Sequence, residues 1–383
     1  MKKFGWPVLV GLVCLTLAII SPGYGAKSGQ EVRLGVNAEL TGNKPAIGDS
    51  CKKAMELLVA QINQDGGLKV GDKQVPVKLY IADNGDEVKL AVAAARKLIS
   101  QDKVLAIIGP NVSSLAIPAA RICEDNKVVM ISPWSTNPKT TAGKKFIFRA
   151  CFTDNFQGQV MAKFARQDLK ATTAAVLYDV DNEYNKDIAK FFKQSLEADG
   201  GRVAAYASYT AGAKEFSSQL TTIKAASPQV LFLPNYYNEV PLQVKQARAL
   251  GITCPIIGSD SWGSHELLTL GAKALEGCFF SAHYDLALAT PKARKFSGDF
   301  EVKFGRKPDD VAALTYDAGM LLCKAISQAG ALNRIKVRDA LAHEQYDGVT
   351  GEIAFKGTGD PVKSVVILEI KDGQFKYFTT VQP

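Results

Sequence analysis

The residues best equipped for chemistry stand at the ends of short apolar runs. Two such runs, Val104–Ile108 and Val128–Ile131, each stop at a Gly/Pro or Ser/Pro break and open into hydroxyl residues. Ser113 and Ser114 fall where a helix, Leu115–Asn126, is predicted to begin, so hydroxyls and free backbone N–H groups converge there. A helix start of this kind attracts an anion. Taken alone, Ser113 is more simply a helix N-cap. A second such site at Ser135-Thr136, on the next strand, favours a binding role for both.

Three later turns complete the set: Asp179–Tyr184, Asn235–Tyr237 and Ser259–Trp262. Ligands of open parallel sheets bind beyond the carboxyl ends of the strands. If the two groups of strand ends face each other, Ser113, Ser135 and Thr136 can take the carboxylate of a small zwitterion and Asp260 its ammonium. Trp134, Tyr184 and Tyr236 would bury the remainder, with Asn111 beside them. Plainer readings stand next to these. Asp260 can be a cap or turn acid, Tyr236 and Tyr237 a strand-end core pair, and Trp134 domain packing beside Pro133. Asp179, Asp181 and Asn182 lack the bidentate glutamate of a calcium loop and read as solvated loop.

Enzyme chemistry has little support. The three histidines, His265, His283 and His343, form no metal pair, and no nucleophile elbow, Walker loop or dinucleotide fingerprint follows a strand. Neither a catalytic residue, a cofactor nor a metal is expected. Basic residues are scattered among acids, which gives no support to nucleic-acid binding.

At 383 residues with 47% hydrophobic content, the chain suits about two globular domains. Residues 1–26 read as a cleaved signal peptide: Lys2-Lys3, an apolar run from Trp6 to Ile20, then small residues to Ala26. Its loss lowers the formal charge from +8 to +6, because two lysines leave with it. An exported, periplasmic protein is the expectation. Six cysteines remain, and the one pairing suggested is Cys254 with Cys278, each at the head of an apolar strand.

These turns must be carried by alternating strands and helices. Val32–Ala38 is a predicted strand, Asp49 starts a helix with Cys51, Met55, Leu58 and Ile62 on one face, and Val75–Ala82 and Glu87–Ser100 follow. After an extended Phe146–Cys151 the pattern repeats from Ala174 to Gly258, so two α/β domains with mostly parallel sheets are expected. Helices at Lys292–Phe304, Ala312–Ala329 and Ile335–Ala342 precede a terminal hairpin, Val365–Ile370 with Phe375–Thr379.

In order along the chain, VRLGVNAELTG (Val32–Gly42), IIGPNVSS, ISPWSTNP, YDVDNEYNKDIA, VKQARALG and IIGSDSW resemble the type 1 periplasmic binding proteins. The likeness is to the leucine/isoleucine/valine-binding family that serves ABC transporters. It implies an α/β fold of two lobes joined by three hinge crossovers. The N-terminal lobe would span residues 27–150 plus 284–355, and the C-terminal lobe 151–283 plus 356–383. It implies a monomer that closes on a free amino acid and hands it to membrane permease subunits. By position, Ser113 and Thr136 match carboxylate-binding residues, Tyr184 and Tyr236 second-lobe tyrosines, and Asp260 the acid facing the ammonium. Asn111 and Trp134 depart from the small apolar residues usual at their positions, which opens the side-chain preference to polar, aromatic or smaller amino compounds. The alternatives are a short amide, urea or aromatic acid as ligand, or a periplasmic sensing role.

Overall fold

The computed structural model describes residues 1–3, 5, 30–271 and 273–383. Most of the expected signal segment, with its cleavage site, lies outside the described residues. No helix among the described residues is long and apolar enough to cross a membrane.

The first half of the chain runs β1 (Val32–Ala38), α1 (Pro45–Gln64), β2 (Leu68–Val70), β3 (Lys73–Val75), β4 (Val77–Asp83), α2 (Val88–Ser100), β5 (Ala106–Ile108), α3 (Ser113–Asp125), β6 (Val129–Ser132) and β7 (Ile147–Arg149). Then come α4 (Asp154–Gln167), β8 (Thr173–Asp179), α5 (Glu183–Ala198), β9 (Arg202–Tyr209), α6 (Ser217–Ala225), β10 (Val230–Leu233), α7 (Val240–Ala249), β11 (Ile256–Gly258), α8 (Glu266–Gly271) and β12 (Phe279–Ala282). The remainder is α9 (Pro291–Phe304), α10 (Asp310–Ala329), α11 (Arg334–Leu341), β13 (Gln345–Gly348), β14 (Gly351–Phe355), β15 (Pro361–Val362), β16 (Val365–Lys371) and β17 (Gln374–Val381).

Two sheets result. The first is all parallel in the order β4-β1-β5-β6-β7. The second has the order β17-β16-β12-β11-β10-β8-β9, parallel from β12 to β9 and closed by the antiparallel β16–β17 hairpin. Central strands such as β5, β6, β10 and β11 are buried throughout, as a strand covered by helices on both faces must be.

The late helices return to the first sheet. α10 packs on α1 and reaches β5 and β6, while Phe296 and Phe300 of α9 cluster with Ala54 and Leu57 of α1. The chain therefore passes between the lobes three times: near Cys151–Thr153, near His283, and after β15. Phe152 and His283, on the first two passages, stack with ring centroids 3.7 Å apart. On the third, Lys363 is buried and donates to Thr350 O and Oγ1 at 2.7 Å, and Thr350 Oγ1 donates to Asp317. Burial pushes the Lys363 ammonium down to about 8, against the pull of Asp317 and Asp310. The expected lobe limit at 355/356 falls between β14 and β15, which pair with each other, so the third passage lies after Val362.

Several expectations change. α1 begins at Pro45, not Asp49, because a proline at the first helical position needs no N–H partner. Pro76 divides the expected strand Val75–Ala82 into the end of β3 and β4. α4 and the small β13–β14–β15 sheet were not expected at all. The Cys254–Cys278 pairing fails: both thiols are free. Ile257 pairs with Phe279, so Cys278 stands level with Ile256, two residues from Cys254. Two residues along one strand plus one step across puts the Cα atoms roughly 8 Å apart, beyond the range a disulfide spans.

Candidate functional site

The carboxyl ends of β5 and β6 hold the first half of the site. Gly109, at φ +85°, lies so close to β1 that a Cβ would sit 2.2 Å from Asn37 O, and this brings the chain across into α3. Val112 is the N-cap of α3 and its side chain makes no cap bond, so Ser113 is not the capping residue. Instead Ser135 Oγ donates to Ser113 Oγ at 2.9 Å and lies 2.7 Å from Thr140 Oγ1. This relay leaves the Ser113 proton to point outward. Ser135 N donates to Ser132 Oγ, which donates to Pro110 O, tying the two turns together.

Arg149 of β7 braces this loop from behind. Its guanidinium is fully buried and donates to the carbonyls of Ser135 and Asn137, to Thr141 Oγ1 and to Asp360 Oδ1. Thr136 is buried, and its Oγ1 has no hydrogen-bond partner among the described residues.

The carboxyl ends of β8, β10 and β11 hold the second half. Asp260 opens a 3₁₀ turn whose shape depends on Gly258, since a Cβ there would lie 2.1 Å from the Trp262 ring. Trp262 Nε1 donates to Leu233 O and pins the turn to β10. Asp260 Oδ1 accepts from the Tyr184 hydroxyl at 2.6 Å and from Gln157 Nε2 at 2.8 Å, and Oδ2 lies 3.0 Å from His283 Nε2. Burial holds the His283 imidazolium below its ordinary range, with Asp260 opposing. Burial, then the charges of Asp260 and Asp154, push the Tyr184 phenol well up, so it stays a donor.

Asp154 is the residue that sequence reasoning missed. It is the first residue of α4, fully buried, and neither carboxylate oxygen has a hydrogen-bond partner among the described residues. Its N–H donates to Thr136 O at 2.9 Å, so it is anchored to the hydroxyl turn of the other lobe. Burial pushes its acid well above the usual carboxylate range. Asp260 adds to that, while Arg149 and the Thr136 hydroxyl, which lies near but short of hydrogen-bond geometry, pull it back. The available sequence signal was an acid followed one turn later by Gln157, at the head of a helix.

Aromatic rings fill the space between the halves. Trp134 meets Tyr236 at 6.3 Å between centroids, and Tyr236 meets Tyr184 at 5.5 Å. Lys44 Nζ sits 4.9 Å from the Tyr236 ring centre while paired to Asp86 at 2.7 Å. At the mouth, Lys139 reaches Glu183 at 2.6 Å and Asp187 at 2.8 Å, and Asn137 Nδ2 donates to Asp187 at 2.9 Å. Asn111 is also brought to the site, but its amide is committed: Nδ2 donates to Glu39 Oε2 at 2.8 Å and its N–H to Glu39 Oε1 at 3.0 Å. Tyr237 is buried next to Tyr236, its N–H donating to Ser261 O at 3.1 Å and its hydroxyl without a hydrogen-bond partner among the described residues. Asp179, Asp181 and Asn182 are occupied by backbone N–H groups of their own turn and of Ala211.

All eight residues singled out in the sequence therefore lie buried in one interlobe region. Donors line one wall and carboxylates the other, an arrangement complementary to a zwitterion. The family model for periplasmic binding proteins matches residues 31–374. The chain belongs to the periplasmic binding protein family. Within it, this binding protein falls in the type 1, branched-chain amino-acid class. It is similar to a leucine-, isoleucine-, valine-, threonine- and alanine-binding protein of Pseudomonas aeruginosa, with 31% identity over 86% of this chain and 87% of that one. The crystal structure of the leucine-binding protein LivK of Thermotoga maritima superposes with a TM-score of 0.86 at 34% identity, covering 92% of this chain and 99% of that one. LivJ of Streptococcus pneumoniae, a branched-chain amino acid transporter substrate-binding protein solved with isoleucine, gives 0.86 at 29% identity, over 92% and 100%.

Proposed function

We propose that this protein is the extracytoplasmic substrate-binding subunit of an ABC importer and that it takes a free amino acid between its lobes. The observation that carries the reading is Asp154: a fully buried carboxylate with no hydrogen-bond partner among the described residues, close enough to Asp260 to feel its charge. In this reading Ser113, Ser135 and Thr136 receive the ligand carboxylate at the start of α3. Asp154 and Asp260 receive the ammonium, and Trp134, Tyr184 and Tyr236 enclose the carbon skeleton. Asn111 shapes the same wall through Glu39.

Closure follows from how these groups are divided. Each lobe offers one half of the ligand's charge complement, so only the closed form makes both sets of contacts, and the ligand shifts the population toward it. A ligand without the ammonium would leave two buried acids uncompensated, which disfavours simple carboxylic acids. The lobes are taken as 27–150 with 284–362 and 151–283 with 363–383, the β14–β15 pairing supporting the shift of the last limit from 355/356. A cleaved signal over residues 1–26, a monomeric state, docking to membrane permease subunits and the absence of catalysis complete the reading.

A thermal-shift screen of the protein against the common amino acids tests it, because a ligand that binds only the folded state raises the melting point. A shift of several degrees with at least one amino acid is expected. No shift with any of them refutes the reading.

A further inference from the structure

Asn111 and Trp134 emerge from the carboxyl ends of adjacent strands. Each lies three residues beyond a paired position of the adjacent strands β5 and β6, Ile108 and Ile131. Asn111 is fully buried and Trp134 is 4% exposed. The Trp134 indole Nε1 has no hydrogen-bond partner among the described residues, and neither has Asn111 Oδ1. The orientation of the Asn111 amide is fixed by chemistry, since only its nitrogen can donate to the Glu39 carboxylate. Its oxygen is therefore the face turned away from Glu39. The Trp134 ring meets Tyr236 of the other lobe, which places the indole in the cleft. A buried acceptor and a buried donor, both without a partner among the described residues, thus follow the ends of two neighbouring strands.

Resting on the amino-acid reading above, we infer that this pair selects a polar, uncharged side chain that offers an acceptor to Trp134 Nε1–H and a donor to Asn111 Oδ1. A carboxamide or a hydroxyl does both. A wholly aliphatic side chain does neither and leaves both protein groups unpaired, the circumstance in which a site discriminates most strongly against an analogue. An anionic side chain would face Asn111 Oδ1 with Glu39 behind it, and a cationic one would face the indole N–H donor. Neither is a match.

Isosteric pairs isolate the effect. Asparagine and leucine share one branched shape and differ in replacing two methyls by an amide, and threonine and valine differ in one hydroxyl for a methyl. Titration calorimetry of the wild-type protein is expected to give at least tenfold tighter binding for the polar member of at least one pair, about the worth of one neutral hydrogen bond. Trp134→Phe keeps an aromatic ring against Tyr236 and removes the N–H. It is expected to cut the polar-over-apolar affinity ratio within that pair about fivefold or more; the ratio is the readout because any change in ring packing falls on both members alike. Tighter binding of leucine and valine than of their polar partners by wild-type protein overturns the inference whether or not the variant folds. Equal weakening of all four ligands by Trp134→Phe also overturns it, since the indole would then serve the shared α-carboxylate; in both cases the amino-acid reading survives. Wild-type protein that binds no amino acid at all overturns the amino-acid reading itself, and the inference with it.

Discussion

Replacing Asp154 by asparagine separates what this residue does for the fold from what it does for the ligand. The side chain keeps its size, and the wild-type carboxylate has no protein hydrogen bond to lose among the described residues. The ligand-free variant is therefore expected to be at least as stable as the wild type, to within about 1 kcal/mol. Binding should behave oppositely. Asp260 is already engaged by Tyr184, Gln157 and His283, so the ammonium loses its one uncommitted partner. Truncating one side of a buried charge pair costs about 2–5 kcal/mol, or roughly 30- to 5,000-fold in affinity. The raised acid adds a pH signature. An acid whose folded pKa lies above its unfolded value contributes stability fully present below the unfolded pKa of about 3.9 and lost as pH rises through the folded one. The ligand-free protein should thus lose that contribution on going up in pH, whereas the complex needs Asp154 ionised. Affinity is expected to rise with pH across the same window, by at most about tenfold per unit, with a proton released on binding. Calorimetry in buffers of different ionisation enthalpy, with melting curves of the ligand-free protein, measures both. Unchanged affinity in Asp154→Asn, or the same pH slope in variant and wild type, refutes the assignment.

Asp260→Ala should abolish amino-acid binding in calorimetry and lower the melting point, because Tyr184, Gln157 and His283 all lose a buried partner at about 1–3 kcal/mol for each group left unsatisfied; retained affinity would sink its role. Arg149→Met should destabilise the protein by about 3 kcal/mol in urea titration and weaken binding as well, since the carbonyls of Ser135 and Asn137 lose their donor and the Ser135-Thr136 turn is released. Lys139→Ala touches an ion pair that is about half exposed, so its effect is discounted to about 0.2–1 kcal/mol. It should appear as a faster ligand off-rate in stopped-flow tryptophan fluorescence, with the wild-type rate rising with salt and the variant's nearly flat.

The sequence exposed the strands and the hydroxyl turns because local pattern determines them. β1 runs over the residues its apolar alternation marks, and Gly109-Pro110 and Ser132-Pro133 punctuate the edge where Asn111, Ser113 and Thr136 emerge. What stayed hidden depends on distance. α4 lacks an apolar stripe in its first turn because Asp154 and Gln157 occupy the buried positions there. The chemistry that makes that turn important is what erased its helical signature. His283 looked like one of three isolated histidines, since its partner Asp260 lies on another strand end and its stacking partner Phe152 on another passage. The commitment of Asn111 to Glu39, across β1 and β5, was invisible for the same reason. The disulfide guess failed on register, which neither cysteine's neighbours reveal.

The ion pairs at the mouth of the cleft have a consequence for how such a protein can change over time. Lys139, Glu183 and Asp187 join the lobes without belonging to the wall that meets the ligand. Residence time and selectivity are thereby governed by separate side chains. Lineages can lengthen or shorten the hold on a nutrient by altering a surface charge, leaving recognition untouched, and the salinity of the surroundings acts on the first property while sparing the second.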